Sequence, residues 1–444
     1  MLKAGFISLG CAKNLVDTEI MLGILADNDI VITDNPQDAD ILIVNTCGFI
    51  DSAKEESIST IMQMAEFKQE GKCRGIIVAG CLGQRYQQEL LDELHEVSAI
   101  VGTGAWHRIM EAVNAVLAGE RVLLIGDLDT IYDENMSRIT TTPSYSAYVK
   151  IAEGCSNCCS YCVIPLVRGK YRSRTVESIV NEVKQLTEKG VKEINLIAQD
   201  TTSFGRDQNE KPQLTTLLKE LVKIEGVAWI RLLYCYPKYF SDELIELIAK
   251  EPRICKYIDL PLQHADDEIL SAMNRRDTRA DIEKLLNKIR SSIPGVVIRT
   301  SFIVGFPGET DTHFESLKQF MIEQKFERVG VFTYSQEEDT PAGKSEQQIP
   351  DDIKEERYHE LMALQCRISE ELNHAMEGKV LTILIEGHNK EQPEVAFGRS
   401  YREAPDVDGR IFVENAAGLV PGDMVRAEIV QGFTYDLLAE RKLD

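Results

Sequence analysis

Residues 155–162 read Cys-Ser-Asn-Cys-Cys-Ser-Tyr-Cys, which places four thiols within eight residues. Thiolates are the ligands that hold iron–sulfur clusters, and a run this dense in one loop predicts such a cluster. Cys155, Cys159 and Cys162 give the spacing C-x3-C-x2-C, whereas Cys158 falls outside it. Three ligands to a four-iron cluster leave one iron open, so the predicted cluster can bind a small molecule as well as carry electrons.

A structural zinc site and a disulfide framework are the two alternative uses of these thiols. Zinc sites usually draw a second ligand pair from a distance, and no Cys-x2-Cys or His-x3-5-His partner follows the run. The chain opens on a strand-like segment without the apolar run of a secretory signal, and no stretch approaches membrane-spanning length. Eleven cysteines, an odd number, are therefore expected as free thiols in the reducing cytoplasm.

Length and charge bound the class of protein. A chain of 444 residues, 43% hydrophobic and 27% charged, predicts two to three globular domains. Its net charge of −23 suits the phosphate backbone of nucleic acid poorly and a basic partner well.

Strand-like and helix-like segments alternate through most of the chain, which predicts α/β architecture with parallel sheets. The first series predicts an open α/β domain, with strands at 4–9, 41–44, 75–79, 99–101 and 122–125 and helices at 15–26, 53–68 and 85–94. The polar stretch 126–144 is interpreted as a linker. The second series predicts a partial (β/α)6 barrel, with strands at 148–152, 193–198, 229–234, 256–260, 296–304 and 328–333. After a helical stretch at 351–377, short strands at 380–386, 394–399, 411–414, 424–430 and 435–438 predict a small all-β barrel.

Three further cysteines occupy equivalent positions in the first series. Cys11, Cys47 and Cys81 each follow a predicted strand directly, and the carboxyl ends of parallel strands share one sheet edge, where open α/β folds place ligands. The sequence therefore predicts a second cluster, although a free cysteine is also a common core residue. Cys73 precedes its strand and is excluded. The remaining thiols are interpreted as packing residues: Cys235, Cys255 and Cys366.

Together the two cysteine sets resemble the methylthiotransferase branch of the radical S-adenosylmethionine enzymes, over nearly the whole chain. The motifs that carry the resemblance are Val44-Asn45-Thr46-Cys47, Arg168-Gly169, Arg172-Ser173-Arg174, Leu260-Pro261-Leu262-Gln263-His264 and Gly305-Phe306-Pro307-Gly308-Glu309. The resemblance implies four segments: an N-terminal methylthiotransferase domain (1–125), a linker (126–144), a radical SAM core (145–374) and a TRAM-like substrate-binding domain (375–444). It also implies two [4Fe-4S] clusters, one on each cysteine set, and S-adenosyl-L-methionine as cofactor.

The opening Ser8-Leu9-Gly10-Cys11-Ala12-Lys13-Asn14-Leu15-Val16-Asp17-Thr18-Glu19 is similar to branch members that modify a protein. Members that modify tRNA tend to open with a Phe-Gly-Cys-Gln-Met-Asn pattern instead. The resemblance thus implies addition of a methylthio group to the β-carbon of an aspartate in protein twelve of the small ribosomal subunit. The acidic chain, and the excess of acids over bases in 375–444, agree with a basic protein substrate. The alternatives are a tRNA (adenosine) methylthiotransferase and a non-catalytic iron–sulfur electron carrier.

The carbon–hydrogen bond beside an aspartate carboxylate is unactivated, so a cofactor-derived radical is needed to functionalise it. The resemblance implies that one cluster and S-adenosylmethionine supply this radical, and that the second cluster holds the sulfur to be transferred. It further implies an external electron donor and a sulfur donor. Radical and sulfur must meet at one carbon, so the two cysteine-bearing domains are expected to face each other. No catalytic residue is expected beyond the cluster cysteines.

Supporting roles are assigned by position. Tyr161 lies between two predicted ligands and is expected to pack on the adenine or, alternatively, within its loop. Polar groups at strand ends are candidates for cofactor contacts, with solvation or helix capping as the alternative; they are Gln199, Asp200, Arg299, Gly305 and Glu309. The basic run Arg168, Lys170, Arg172 and Arg174 is interpreted as a contact to substrate or to the acidic first domain, or as an exposed loop before a helix capped near Thr175. His264 is the histidine expected nearest the site, and the loop 334–342 departs from the usual family pattern without supplying a ligand.

Overall fold

The computed structural model describes residues 1–209 and 211–442. The chain begins with an open α/β unit whose six strands are all parallel. Its elements are β1 (Lys3–Ser8), α1 (Ala12–Asp27), β2 (Val31–Thr33), β3 (Ile41–Thr46), α2 (Asp51–Glu70), β4 (Gly75–Gly80), α3 (Cys81–Glu93), β5 (Val97–Val101), α4 (Ile109–Leu117) and β6 (Val122–Leu124). The strand order is β2-β1-β3-β4-β5-β6.

Helices cover both faces of this first sheet. Residues of α1 and α4 pack in one apolar cluster, and residues of α2 and α3 pack in another on the opposite face. The strands β3 and β4 are consequently buried along their whole length, as expected for the apolar central strands of a parallel sheet.

A second parallel unit follows, and the strands of its six-stranded sheet lie side by side in the order Arg328–Thr333, Val297–Val304, Ile254–Asp259, Trp229–Leu232, Glu193–Ile197 and Ser146–Lys150. Its elements are β7 (Ser146–Lys150), β8 (Ala152–Glu153), α5 (Ile164–Arg168), β9 (Arg172–Ser173), α6 (Val176–Glu188), β10 (Glu193–Ile197), α7 (Leu214–Leu221), β11 (Trp229–Leu232), α8 (Asp242–Lys250), β12 (Ile254–Asp259), α9 (Asp267–Ala272), α10 (Arg279–Ser292), β13 (Val297–Val304), α11 (Asp311–Gln324), β14 (Arg328–Thr333) and α12 (Asp351–His374). The predicted partial (β/α)6 barrel is confirmed.

Side chains alternate between the two faces of each barrel strand. One face packs against the surrounding helices in the largest apolar cluster of the protein. Polar side chains on the other face meet the C-terminal barrel: the carboxylate of Glu193 on β10 lies 2.7 Å from Arg399, and the Tyr257 hydroxyl on β12 donates to Asp408 at 2.6 Å.

The last part of the chain forms a closed barrel of β15 (Val380–His388), β16 (Ala396–Arg399), β17 (Ile411–Glu414), β18 (Met424–Gly432) and β19 (Leu437–Arg441). Its interior is a separate apolar cluster that includes Ile383, Val413 and Ile429. Two parallel α/β sheets followed by a closed β-barrel confirm the predicted fold class.

The stretch between β6 and β7 crosses from the first unit to the second without forming a helix or strand, and the structure describes all of it. Arg138 anchors it by pairing with Glu19 on α1 at 2.6 Å and with Glu182 on α6 at 2.5 Å. Because both pairs are buried, this linker ties the two units together. In residues 1–209 and 211–442, helices long and apolar enough to cross a membrane are absent.

Candidate cluster and cofactor site

Cys11, Cys47 and Cys81, here called the assembled set, come together at one edge of the first sheet. Cys11 caps the start of α1, Cys47 follows β3, and Cys81 begins α3 directly after β4. The strands β1, β3 and β4 are neighbours, so topology alone brings the three thiols together. Cys73 precedes β4 and lies toward the opposite edge.

Two glycines allow the sharp turns from strand into helix. Gly10 has φ +84°, and a Cβ there would lie 2.9 Å from the Cβ of Cys47. Gly80 has φ +91°, and a Cβ there would lie 2.2 Å from the side-chain oxygen of Asn45. Only glycine meets both demands, which explains why a glycine precedes two of the three cysteines.

The side chain of Asn14 connects the ends of β1 and β3. Its Nδ2 donates to the carbonyl of Leu9 at 3.1 Å and to that of Thr46 at 2.9 Å. Its Oδ1 accepts from Arg168 at 2.5 Å and faces the Cys81 thiol at 3.6 Å. One amide therefore fixes two strand ends and links the assembled set to the second unit.

Cys155, Cys159 and Cys162, here called the contiguous set, lie on the single loop between β8 and α5. Backbone hydrogen bonds hold this loop: the Cys155 amide donates to Gly169 at 3.1 Å, and the Cys162 amide donates to Cys159 at 3.1 Å. Cys158 is exposed, has φ +54°, and contacts the Ser156 carbonyl at 3.7 Å. It does not line the cavity that the other three thiols share.

The two sets line one cavity of about 330 Å³ between the first and second units. Besides the six thiols, Cys235 also lines it. Three cationic side chains reach the same wall, Lys13, Arg168 and Arg275, and no Asp or Glu is among its described lining residues. The chain as a whole has a net charge of −23, so the positive charge of this wall is a local feature. It favours the binding of an anionic ligand.

Most of the thiols have raised pKa values because burial disfavours the thiolate. Burial raises the pKa of Cys81 to about 12 and that of Cys155 to about 11, and it also raises the pKa values of Cys47 and Cys162. For Cys11 burial acts in the same direction, but the charges of Lys13 and Arg168 outweigh it, so its pKa is lowered.

Thiols of this kind fit thiolate-ligated clusters. Neutral buried thiols are poor nucleophiles, and a bound metal cation is what makes them thiolates. In residues 1–209 and 211–442 no three His, Cys, Asp or Glu side chains converge on a single-ion site. The thiols are instead distributed along the wall of the shared cavity.

A buried ionic network joins the assembled set to the second unit. Arg168 donates to Asp17 of α1 and to Glu153 of β8, both at 2.9 Å, and Lys150 pairs with the same two carboxylates. Burial would raise the pKa of Glu153, but Arg168 and Lys150 outweigh it and hold that pKa well below its usual range.

Two members of the basic run are therefore not part of the exposed loop that was one of its predicted interpretations, whereas Lys170 is exposed as that interpretation expected. Arg168 is 1% exposed and Arg174 3% exposed, and Arg174 pairs with Glu182. The other interpretation, contact with the acidic first domain, describes Arg168. Thr175 caps α6, as predicted, by accepting from the Ser178 amide.

The atypical loop 334–342 clamps the first unit from the other side. Glu337 is buried and lies 2.6 Å from Arg85 of α3 and 3.0 Å from Lys54 of α2. The Tyr86 hydroxyl donates to Glu338 at 2.8 Å. This acidic latch holds the two cysteine-bearing units face to face, although it supplies no thiol.

Two predicted supporting residues, Tyr161 and Gln199, line the cavity. Asp200 is buried behind it, where its carboxylate accepts from the Ser203 amide at 3.1 Å and from Asn157 of the cysteine loop at 2.9 Å. Asp200 therefore caps a turn, which was the predicted alternative to a cofactor contact. Through Asn157 it also helps to position the loop of the contiguous set.

The other predicted contacts lie outside the cavity wall. Arg299 pairs with Asp259 at 3.0 Å and borders a second cavity beside Cys11. Gly305 has φ +72°, and Glu309 accepts from its amide in the turn after β13. The ring of His264 is fully buried and lies 3.8 Å from Glu309, away from the cavity lining.

Several lining residues were not singled out from the sequence. They are Lys13, Asn14, Phe49, Asn157, Ile164, Tyr234, Tyr236, Pro261, Gln263 and Arg275. Cys235, which was interpreted as a packing residue, is buried but lines the cavity as well. Lys13 and Asn14 belong to the opening motif around Cys11, and their place next to a predicted ligand was the available signal. Arg275 lies 4.0 Å from the Cys159 sulfur but follows α9, far from it in sequence, so no local pattern marks it.

Comparison with known families matches three parts of the chain. Residues 149–321 match the radical SAM superfamily, residues 378–441 match the TRAM domain, and residues 3–102 match the uncharacterized protein family UPF0004. The contiguous set lies in the radical SAM segment (149–321), and the assembled set lies in the UPF0004 segment (3–102).

Two curated relatives match over nearly their whole length. The chain is 53% identical to the ribosomal protein uS12 methylthiotransferase RimO of Desulforamulus reducens, covering 98% of each chain. It is 49% identical to the protein of the same name from Geobacter sulfurreducens, covering 99% of this chain and 98% of that one. Among solved structures, the radical S-adenosylmethionine methyltransferase TsrM from Kitasatospora setae, with cobalamin and a [4Fe-4S] cluster bound, shares the fold at TM-score 0.58 and 15% identity, over 77% of this chain and 74% of that one.

Proposed function

The chain belongs to the family of ribosomal protein uS12 methylthiotransferases named RimO, and from this premise we propose that it adds a methylthio group to the β-carbon of an aspartate in protein uS12. It is a radical SAM enzyme by its domain and its relatives. The observation that carries the proposal is the single cavity lined by two sets of three thiols, one from each α/β unit.

The contiguous set would hold one [4Fe-4S] cluster and the assembled set a second. When bound, such clusters and S-adenosylmethionine supply a radical able to take hydrogen from an unactivated carbon, together with the sulfur to be transferred. The residues of the chain provide the ligands, place both sets on one wall, and enclose the reacting groups between two units.

The cationic wall supports this assignment. Thiolate-ligated clusters and the carboxylate of S-adenosylmethionine are all anionic, and the described lining offers Arg168 and Arg275 on that side without a competing Asp or Glu. Arg275, 4.0 Å from the Cys159 sulfur and stacked 4.1 Å from the centroid of the Tyr236 ring, is in place to stabilise charge at the contiguous set. Tyr161 and Gln199 are the cofactor contacts we retain on that side.

The partner we propose is uS12, since ribosomal proteins are generally basic and the chain carries a net charge of −23. The reaction also requires an electron donor and a sulfur donor from outside the chain, and we place it in the cytoplasm with the ribosomal subunits. The alternative substrate, tRNA, has no support from the names of the close relatives.

The test is the intact mass of uS12 from cells with and without this chain. We expect a gain of about 46 Da, the mass of exchanging H for SCH3, on one aspartate of uS12 only when the chain is present. As control, cells carrying the Cys158→Ala variant should retain the modification, since Cys158 lies outside the cavity wall. If uS12 has the same mass in both kinds of cell, and tRNA loses a methylthio nucleoside in cells without the chain, the substrate is tRNA and not uS12.

A further inference from the structure

Lys13 is a largely buried residue that lines the cavity and has no acidic partner among the residues that the structure describes. Its side chain belongs to the first turn of α1 and the residue is 4% exposed. The ammonium lies 3.3 Å from the centroid of the Tyr234 ring. Among residues 1–209 and 211–442, no carboxylate oxygen lies within 4.0 Å of this nitrogen and no hydrogen-bond acceptor is assigned to it.

The other two cations of the cavity have hydrogen-bond acceptors among the described residues, whereas Lys13 has none. Arg168 is neutralised by Asp17 and Glu153. Arg275 has no carboxylate within 4.0 Å among those residues, but it donates to the Pro261 carbonyl at 2.8 Å. Burying a charge without a partner is costly, so such a group marks a place where a partner of opposite charge binds.

The ring beneath the ammonium is held in place. Tyr234 has φ +60°, a conformation that an aromatic residue adopts at a cost. Its amide donates to Asp259 at 2.9 Å and its carbonyl accepts from Thr201 at 2.9 Å, which fixes the backbone. The cation and its supporting ring are therefore positioned before any ligand arrives.

Lys13 also lies close to the assembled set, which the aspartate of the proposed substrate has to reach. It is two residues from Cys11, and Tyr234 and Cys11 together border both the shared cavity and a neighbouring one of about 290 Å³. The loop containing Asp406, from the C-terminal barrel, also lines the neighbouring cavity. It offers a route along which a substrate side chain can reach the assembled set.

We propose that Lys13 binds the side-chain carboxylate of the acceptor aspartate, an inference that rests on the proposed function. In aspartate the carboxylate is bonded directly to the β-carbon. An ion pair with Lys13 therefore brings the carbon to be modified beside the assembled set. Lys13 is thus the residue that selects an acidic side chain.

Binding to loaded enzyme tests this assignment. Wild type, Lys13→Met, Lys13→Arg and the control Lys284→Met, an exposed lysine on α10, are each titrated with uS12 and with uS12 whose acceptor aspartate is changed to asparagine. Wild type should bind the aspartate form about 10- to 100-fold more tightly than the asparagine form, the range of a charge-assisted hydrogen bond. Lys13→Met should bind both forms equally, whereas Lys13→Arg and Lys284→Met should keep the preference.

Two further readouts separate other roles of Lys13. Iron content and the affinity for S-adenosylmethionine should be the same in Lys13→Met and wild type. Loss of iron would assign Lys13 to charge compensation at Cys11, and weaker S-adenosylmethionine binding would assign it to the cofactor; either result overturns the inference. So does an unchanged preference for aspartate in Lys13→Met. If wild type itself fails to modify uS12, the proposed function falls instead.

Discussion

The contiguous and assembled sets line the same cavity but are built in opposite ways. Cys155, Cys159 and Cys162 lie on one loop, which is held by backbone hydrogen bonds within it and to Gly169, Met273 and Ala342. Cys11 and its two partners need three adjacent strands, two glycines with positive φ, and the Asn14 amide. One loop is therefore enough to place the three thiols of the contiguous set close together in sequence, whereas the placement of the assembled set depends on the packing of the sheet.

Substitution of single cysteines should give the largest effect, and it is the most direct test of whether the contiguous and assembled sets function separately. Cys155→Ala should abolish both 5′-deoxyadenosine formation and methylthiolation, to below about one thousandth of the wild-type rate, as for other residues that act as a unit. Cys47→Ala should abolish methylthiolation but retain 5′-deoxyadenosine formation, because the contiguous set is independent of it. Iron should fall from about eight to about four atoms per chain in both variants.

Cys158→Ala and Cys73→Ala are the matched controls for these measurements. Cys158 adjoins the contiguous set and Cys73 belongs to the domain of the assembled set, yet neither lines the cavity. Both variants should keep iron and both activities. Loss of 5′-deoxyadenosine formation in Cys47→Ala would show that the two sets do not function separately.

The next effect concerns the buried ionic network. Replacing Arg168 by Met leaves Asp17 and Glu153 short of a partner in a buried site, which should lower the free energy of unfolding by about 3 to 5 kcal/mol. Denaturant unfolding measures this change. Iron loading of a Cys155→Ala background, which reports the assembled set alone, should fall as well.

Arg172→Met serves as the control for Arg168, because Arg172 contacts only backbone carbonyls and is partly exposed. Its free energy of unfolding should change by less than about 1 kcal/mol. If Arg168→Met and Arg172→Met lost equal amounts of unfolding free energy, the buried network would have no special stabilising role.

Acid should release the C-terminal barrel before it affects either cysteine loop. Burial would raise the pKa of Glu193, but Arg399 and Arg231 outweigh it and lower that pKa to about 2. A carboxyl with a depressed pKa stabilises the fold above its unfolded value, near 4.5, and this contribution is lost as pH falls toward 2. The expected loss is about 3 kcal/mol, and Glu193→Gln should flatten the profile of unfolding free energy over this window.

The smallest effect is expected at the acidic latch. Glu337→Gln removes the buried partner of Arg85 and Lys54, but Glu338 and Asp339 remain within 4.0 Å of Arg85, so about 1 to 2 kcal/mol should be lost. The ratio of 5′-deoxyadenosine to modified uS12 should rise, because the two sets are held together less firmly. Glu338→Gln, at a largely exposed position, is the control and should change little.

Much of the fold was readable from the sequence because its signals are local. Apolar runs marked all six strands of the second sheet within two residues, and the shift to short strands marked the closed barrel. The strand β2 and the helix α4 were missed, since one has only three residues and the other only nine. Short elements carry few periodic positions, and among the three-residue strands only the wholly apolar β6 was recognised.

The two cysteine sets were recognised from different signals in the sequence. Spacing identified the contiguous set, and strand ends identified the assembled one, but the partners of both sets were not visible. Arg275 reaches Cys159 from more than a hundred residues away, and Arg168 reaches Asp17 across the domain boundary. The basic run predicted a contact between Arg168 and the first domain, but the individual partners follow from how the two units dock, which no local pattern encodes.

The chain has a net charge of −23, whereas the described residues of the cavity wall include no carboxylate, and this contrast has a consequence for binding kinetics. Exposed charges act over roughly a Debye length, about 8 Å at physiological ionic strength, and they govern how fast a basic partner arrives. Buried charges such as Lys13 are screened far less and govern how long a side chain stays. Added salt should therefore slow arrival at the surface while leaving selection inside the cavity nearly intact, so that the two stages of recognition can be separated by ionic strength alone.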